Sequence, residues 1–174
     1  SLVASQGLAA YDRIGTYPIA ISNATGPAFS TANYAVDYRP GTLTVVGRSF
    51  EEWIGNLAGA DAEIGADPDH DGLANLVEFF LGLDPSTNST ERPRIALESG
   101  ELRFIYRRSK AQSLYQGEVE WAESLDANAT WSSATIIDEL VSDLNDHEIR
   151  RARLPLPPEG TRRFLRLRIT RAVQ

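Results

Sequence analysis

From residue 17 to residue 45, apolar side chains recur at every second position. Tyr17, Ile19 and Ile21 share one face of TYPIAISNA, Tyr34, Val36 and Tyr38 share one face of ANYAVDYRP, and LTVV follows a Pro40-Gly41 turn. A period of two puts successive side chains on opposite faces of an extended chain, so this stretch predicts three antiparallel strands. Beyond residue 49 the period lengthens. Phe50, Trp53, Ile54 and Leu57 recur at helical steps, as do Leu73, Leu76, Val77, Phe80 and Leu83, and each set makes one apolar helical stripe. Alternation returns after residue 91, first at Ile95 and Leu97 and then at Leu102, Phe104 and Tyr106. It continues at Val119 and Trp121, from Ile149 to Leu156, and at Leu165, Leu167 and Ile169. Five or more such segments separated by polar turns predict an antiparallel β-sandwich. The expected fold is therefore mainly β, with a partial β unit over 1–47, a short helix-loop-helix connector over 48–90 and a sandwich over 91–174. The first part is near the lower size limit for an independent core, so it should lean on a neighbour or on sequence upstream.

Charge changes the picture in the middle segment only. Residues 48–90 carry Arg48 against nine acids, a net of −8, while residues 1–47 balance and residues 91–174 carry a net of +1. Acidity this concentrated marks a cation site or a disordered segment, and the apolar stripes on both flanks argue against disorder. Within it, DPDHDGLANLVE places Asp67, Asp69 and Asp71 at alternate positions, Gly72 at a sharp turn, Asn75 three residues later and Glu78 at the twelfth position. A calcium ion takes six to eight hard oxygens at about 2.3–2.6 Å, and a loop supplies them from alternate positions as the backbone winds around it. The expected ligands are the carboxylates of Asp67, Asp69 and Asp71, the carbonyl of Leu73, the side chain of Asn75 and the two oxygens of Glu78. His70 falls at an outward position. The stretch from Gly59 to Gly65 is longer than a compact helix-loop-helix requires.

The remaining composition bounds what else the chain can be. No apolar run approaches the ~20 residues needed to span a bilayer as a helix, and no basic footprint for nucleic acid is present. With no cysteine there is no disulfide framework or thiol chemistry. The two histidines, His70 and His147, have no nucleophile signature beside them, and GxSxG, HExxH and phosphate-cradling glycine loops are absent, so the expectation is a non-enzymatic module. The absence of methionine and the start at SLVASQGL suggest a piece of a longer precursor. A calcium loop of this type is useful where the ion is held near millimolar, which points to an extracellular or cell-surface setting.

The loop and its following helix resemble a half EF-hand, or a dockerin or thrombospondin type 3 loop. GTYPIAISNA followed by ANYAVDYRPGTLTV resembles the closing half of the MBG-type, immunoglobulin-like repeat of large bacterial surface proteins, with the opening half only partly present in residues 1–13. The order Phe50-Glu-Glu-Trp53, ADPDHDGLANLVEFFLGLDP and RRFLRLRIT is similar to a C-terminal region of secreted or surface proteins from verrucomicrobial and planctomycete bacteria. There the loop usually reads DPDGDGLSNLLEYALG, and the differences at His70 and Ala74 avoid every ligand position. The resemblance implies an extracellular or surface location and a shared architecture. The expected role is a structural module with upstream domains of the same precursor as partners and with calcium rigidifying the junction of two β units, or alternatively an accessory module of a secreted enzyme. Two alternatives come from the residues themselves. Trp121 or Trp131, with an arginine ladder at Arg103, Arg107, Arg166 and Arg168, could bind a glycan, or an exposed sheet edge in the first unit could take a strand from a neighbouring subunit.

Overall fold

The computed structural model describes residues 3–5, 14–22, 30–112, 114–156 and 162–172. The protein is mainly β with antiparallel sheets, and it divides into two compact units, Ser1–Val46 and Gly47–Gln174.

The first unit is a three-stranded sheet of β1 (Val3–Ser5), β2 (Gly15–Ser22) and β3 (Gly41–Val45), in the order β1-β2-β3. Tyr17 pairs with Leu43 and Ile19 with Gly41, and along β2 half-buried and exposed positions alternate as the period of two requires. The expected strand at Tyr34, Val36 and Tyr38 does not form. Residues 34–40 run without regular structure between a 3-10 turn at Thr31–Asn33 and Pro40, with Tyr34 and Tyr38 exposed. Alternation becomes a strand only when the segment pairs with a neighbouring ladder, and residues 34–40 join neither β2 nor β3. Of residues 1–13, to which the repeat resemblance assigns an opening half, the described part is Val3–Ser5.

The second unit holds α1 (Phe50–Ile54), α2 (Asn75–Leu81) and six strands: β4 (Arg94–Glu98), β5 (Glu101–Ser109), β6 (Tyr115–Ala122), β7 (Ile137–Asp143), β8 (His147–Pro155) and β9 (Phe164–Arg171). They form a four-stranded sheet, β4-β5-β8-β7, and a two-stranded sheet, β6-β9. Both sheets feed one core. Phe104, Tyr106 and Ala152 come from the first, Val119 from the second with Leu165, Leu167 and Ile169 beside it, and α2 adds Phe80 and Leu81. Residues 48–90 and 91–174 thus share a core inside one unit. Gly117 makes the fit under β6: a Cβ there would lie 2.4 Å from Cζ of Phe80, so only glycine admits the ring.

Helix α1 starts on a capping box, in which Ser49 Oγ accepts from the Glu52 N–H at 3.1 Å and the Ser49 N–H donates to the Glu52 carboxylate at 2.8 Å. Its Phe50 and Trp53 meet Phe79 of α2 at centroid separations of 5.7 and 5.3 Å, making a second cluster. Helix α2 is therefore buried on two sides: Phe80 and Leu81 enter the sheet core, and Phe79 enters the helix cluster. The helix closes on Gly82 in the left-handed conformation (φ 73°), with the Leu83 N–H returning to the Glu78 carbonyl at 2.9 Å.

The outer sheet faces are arginine–carboxylate lattices. Arg103 sits directly opposite Arg153, an unfavourable pairing that Glu98, Glu101 and Glu139 offset by binding both cations. On the two-stranded sheet Glu118 faces Arg168 and Glu120 faces Arg166, at 3.1 and 2.7 Å. On the inner face, the buried Tyr106 hydroxyl donates to Asp138 at 2.7 Å, and Asp138 also meets Arg150 at 3.2 Å.

Candidate metal centre

The loop folds on its own carboxylates before any ligand is considered. Asp67 accepts the N–H of Asp71 at 3.1 Å on one oxygen and that of Gly72 at 2.9 Å on the other. Asp69 Oδ1 also accepts the Asp71 N–H, at 3.0 Å, and Asp71 Oδ1 accepts the Leu73 N–H at 2.8 Å. These bonds curl the chain so that one oxygen each from Asp67, Asp69 and Asp71 lie within 4.8 Å of one another. Two residues take positive φ to allow the curl, Gly72 at 88° and His70 at 56°. The second is a conformation that costs a side-chain-bearing residue roughly 1 kcal/mol or more.

Helix α2 delivers Asn75 and Glu78, both fully buried. The first turn of a helix leaves backbone N–H groups without intrahelical partners, and Ala74 at the N-cap offers no side-chain acceptor. Residues 59–66 supply what is missing. The Ala66 carbonyl accepts the Asn75 N–H at 2.8 Å and the Ile64 carbonyl accepts the Leu76 N–H at 3.0 Å. The unexpectedly long stretch before the loop is thus the cap of the helix that carries the last ligands. Asn75 Nδ2 locks it in place by donating to the carbonyls of Asp61 (2.8 Å) and Glu63 (2.7 Å). Only the amide nitrogen can donate twice, so this pair of bonds fixes the side-chain orientation and leaves Oδ1 as a free acceptor.

Seven buried side-chain nitrogens and oxygens among the described residues have no hydrogen-bond partner. Three are arginine Nε atoms, and the remaining four are Asp69 Oδ2, Asn75 Oδ1 and both oxygens of Glu78. Every orphaned buried oxygen is therefore an acceptor at a ligand position of one twelve-residue loop. The Leu73 carbonyl also takes part in no hydrogen bond among the described residues. Burial pushes the Glu78 carboxyl up to about 8, and the charges of Asp69, Asp71, Asp67 and Asp84 push in the same direction. A buried carboxylate repelled by four others is costly unless a cation offsets the repulsion.

All six residues expected from the sequence lie in this loop and the first turn of its helix. The structure clusters Asp67, Asp69 and Asp71 directly, couples Glu78 to them electrostatically, and buries Asn75 with its carbonyl oxygen unused. Four participants escaped the sequence reading. The Ser89 N–H donates to Asp71 Oδ2 at 3.0 Å, Arg92 Nη2 lies 3.7 Å from the same oxygen, and the carbonyls of Asp61 and Glu63 hold Asn75. A serine followed three residues later by glutamate is a local cap signal, and the Ser49–Glu52 cap of α1 was a further feature the sequence reading did not use. Nothing local signals Ser89 or Arg92, which reach the loop only through the fold.

The donor set is all oxygen, four carboxylates with an amide and a carbonyl, which suits a hard cation and not zinc or copper. His147 belongs to another place, with Nδ1 2.8 Å from Asp146 Oδ1. Comparison with protein-family models, curated proteins and solved structures finds no match.

Proposed function

We propose that residues 67–78 bind one calcium ion and that the ion is structural, serving a non-catalytic module of a larger extracellular or cell-surface protein. The four orphaned buried oxygens carry this reading, because each is a desolvated acceptor that needs a positive partner and all four sit at ligand positions. Asp67, Asp69, Asp71, the Leu73 carbonyl, Asn75 Oδ1 and Glu78 would hold the ion. Its chemistry is neutralisation: a divalent charge among clustered carboxylates replaces their mutual repulsion with attraction. Calcium is preferred to magnesium because a bidentate glutamate and six or more donors suit the larger ion, whereas magnesium favours octahedral sites that retain water.

The ion would brace the second unit. Glu78 is followed directly by Phe79, Phe80 and Leu81, the residues with which α2 enters both apolar clusters. Asn75 ties the same helix to residues 61–63, and Asp71 ties the loop to Ser89. Fixing the loop fixes the helix and the chain on either side of it.

The side chains on which the glycan reading stands are half-buried or engaged within the chain. Arg163 covers a face of Trp121 with its guanidinium 4.5 Å from the ring centroid, and Arg166 covers Trp131 at 4.0 Å. The ladder arginines are themselves paired with carboxylates.

Calorimetric titration with calcium and magnesium tests the assignment. One calcium per chain is expected, with magnesium weaker and Glu78→Gln reducing the calcium affinity roughly tenfold or more. Wild-type protein that takes up no calcium at millimolar concentration refutes it.

A further inference from the structure

The net charge of the loop ligands is not the whole field at the site, because a basic residue from outside the acidic segment reaches it. Arg92 follows the stretch that holds Arg48 as its single cation, and the chain between Asp84 and β4 folds it back over the loop. Its position is fixed by two observations. Nε donates to the Ser89 carbonyl at 3.1 Å, and Nη1 lies 3.8 Å from the point where a Cβ on Gly72 would stand. Nη2 then approaches Asp71 Oδ2, which the Ser89 N–H already occupies, while the Asp71 side chain is wholly buried. No other cation forms an ion pair with Asp67, Asp69, Asp71 or Glu78 among the described residues.

We propose that Arg92 is a resident counter-charge of this site, lowering its affinity for a divalent cation and holding the metal-free loop together. The inference rests on the calcium reading above and adds the residue that sets the strength of binding. A fixed positive charge on the outer side of the Asp71 carboxylate attracts the carboxylates when no ion is present and repels an ion when one arrives. The guanidinium is too far from Asp67 and Asp69 to be in ion-pair contact with them, so it lessens their repulsion without replacing a ligand. It is also part-exposed, so its influence is screened by salt. A site tuned in this way answers to concentrations higher than its four carboxylates alone would require.

The test is a calcium titration of the full chain, followed by competition against a chromophoric chelator, for wild type, Arg92→Gln and Arg92→Lys. Melting curves in excess chelator accompany it. At low ionic strength Arg92→Gln should bind calcium about five- to tenfold more tightly than wild type, and the gap should shrink as salt is raised. The same variant should melt lower than wild type in chelator, while Arg92→Lys, which keeps the charge, should stay near wild type in affinity. An Arg92→Gln affinity equal to or weaker than wild type overturns the proposal, the weaker result meaning that Arg92 positions Asp71. Wild type that does not bind calcium at all overturns the site itself, an outcome distinct from a binding site whose affinity Arg92 does not change.

Discussion

The carboxylates of the sheet faces and those of the 67–78 loop differ in what surrounds them. On the sheets acids meet arginines: Glu139 meets Arg151 and Arg153, Glu101 meets Arg103 and Arg153, and Glu120 meets Arg166 and Arg168. The Arg151 hydrogen bond, and then the charges of Arg151, Arg153 and Arg103, hold the Glu139 carboxyl below its ordinary range. In the loop the acids face one another, are more deeply buried, and meet a single cation at its edge. Glu78 moves the opposite way, up to about 8. These sheet carboxylates are thus each held by a cation. The loop carboxylates have no cation partner beyond Arg92 among the described residues, and that contrast is what the calcium proposal rests on.

Removing the distinction should have the largest effect at Glu78. At calcium concentrations a hundredfold above the dissociation constant the bound ion contributes about 2.7 kcal/mol, and Glu78→Gln, binding tenfold or more weakly, should lose about half of it or more while melting no lower than wild type in chelator. Chemical denaturation with and without calcium reads both quantities. Asn75→Ala should cost about 1–3 kcal/mol in chelator, because it strips the carbonyls of Asp61 and Glu63 of their donor and leaves a small cavity, and more in calcium, where the Oδ1 ligand is lost too. A loss seen only with calcium would mean that the amide acts as a ligand and not as a latch.

The next effect is in pH. The folded-state value of Glu78, raised from an ordinary 4.5, favours the protonated form, so its contribution to the metal-free protein is complete below about 4.5 and is lost as pH rises through about 8. Metal-free protein should therefore lose stability across that window, and calcium, which holds the carboxylate ionised, should flatten the slope. Urea melts at several pH values with chelator or calcium check it. His70→Gly, which relieves a positive φ, should raise stability by a few tenths of a kcal/mol up to about 1 kcal/mol in thermal melts. Smallest of all is Glu139→Gln on the sheet, for which a slight fall in melting temperature at low ionic strength should vanish at about 0.5 M salt and show no calcium dependence.

The loop was the most legible part of the chain because its chemistry is written in consecutive residues: three alternate Asp, a Gly where φ must be positive, and a Glu one turn into a helix. The strands of the second unit were legible for a related reason, since Phe104 and Tyr106 or Leu165, Leu167 and Ile169 display the two faces of a sheet directly. Strand β7 escaped because the register shifts between Leu140 and Ser142, so Val141 breaks the parity on which alternation depends. Phe79 escaped because a helix packed on two sides has no single stripe. The expected strand at 34–40 shows the converse: alternation that joins no ladder stays irregular. Ser89, Arg92 and the carbonyls of Asp61 and Glu63 were beyond the sequence because they act through tertiary contact, and backbone groups carry no residue signature.

The most direct measurement is the thermal melt of the full chain in excess chelator, repeated as calcium is returned from micromolar to millimolar. The account predicts a saturable rise of about 5–10 °C when the ion reaches a hundredfold excess over its dissociation constant, from the linkage energy and the sensitivity of a chain this size. A melting temperature that calcium leaves unchanged would contradict it.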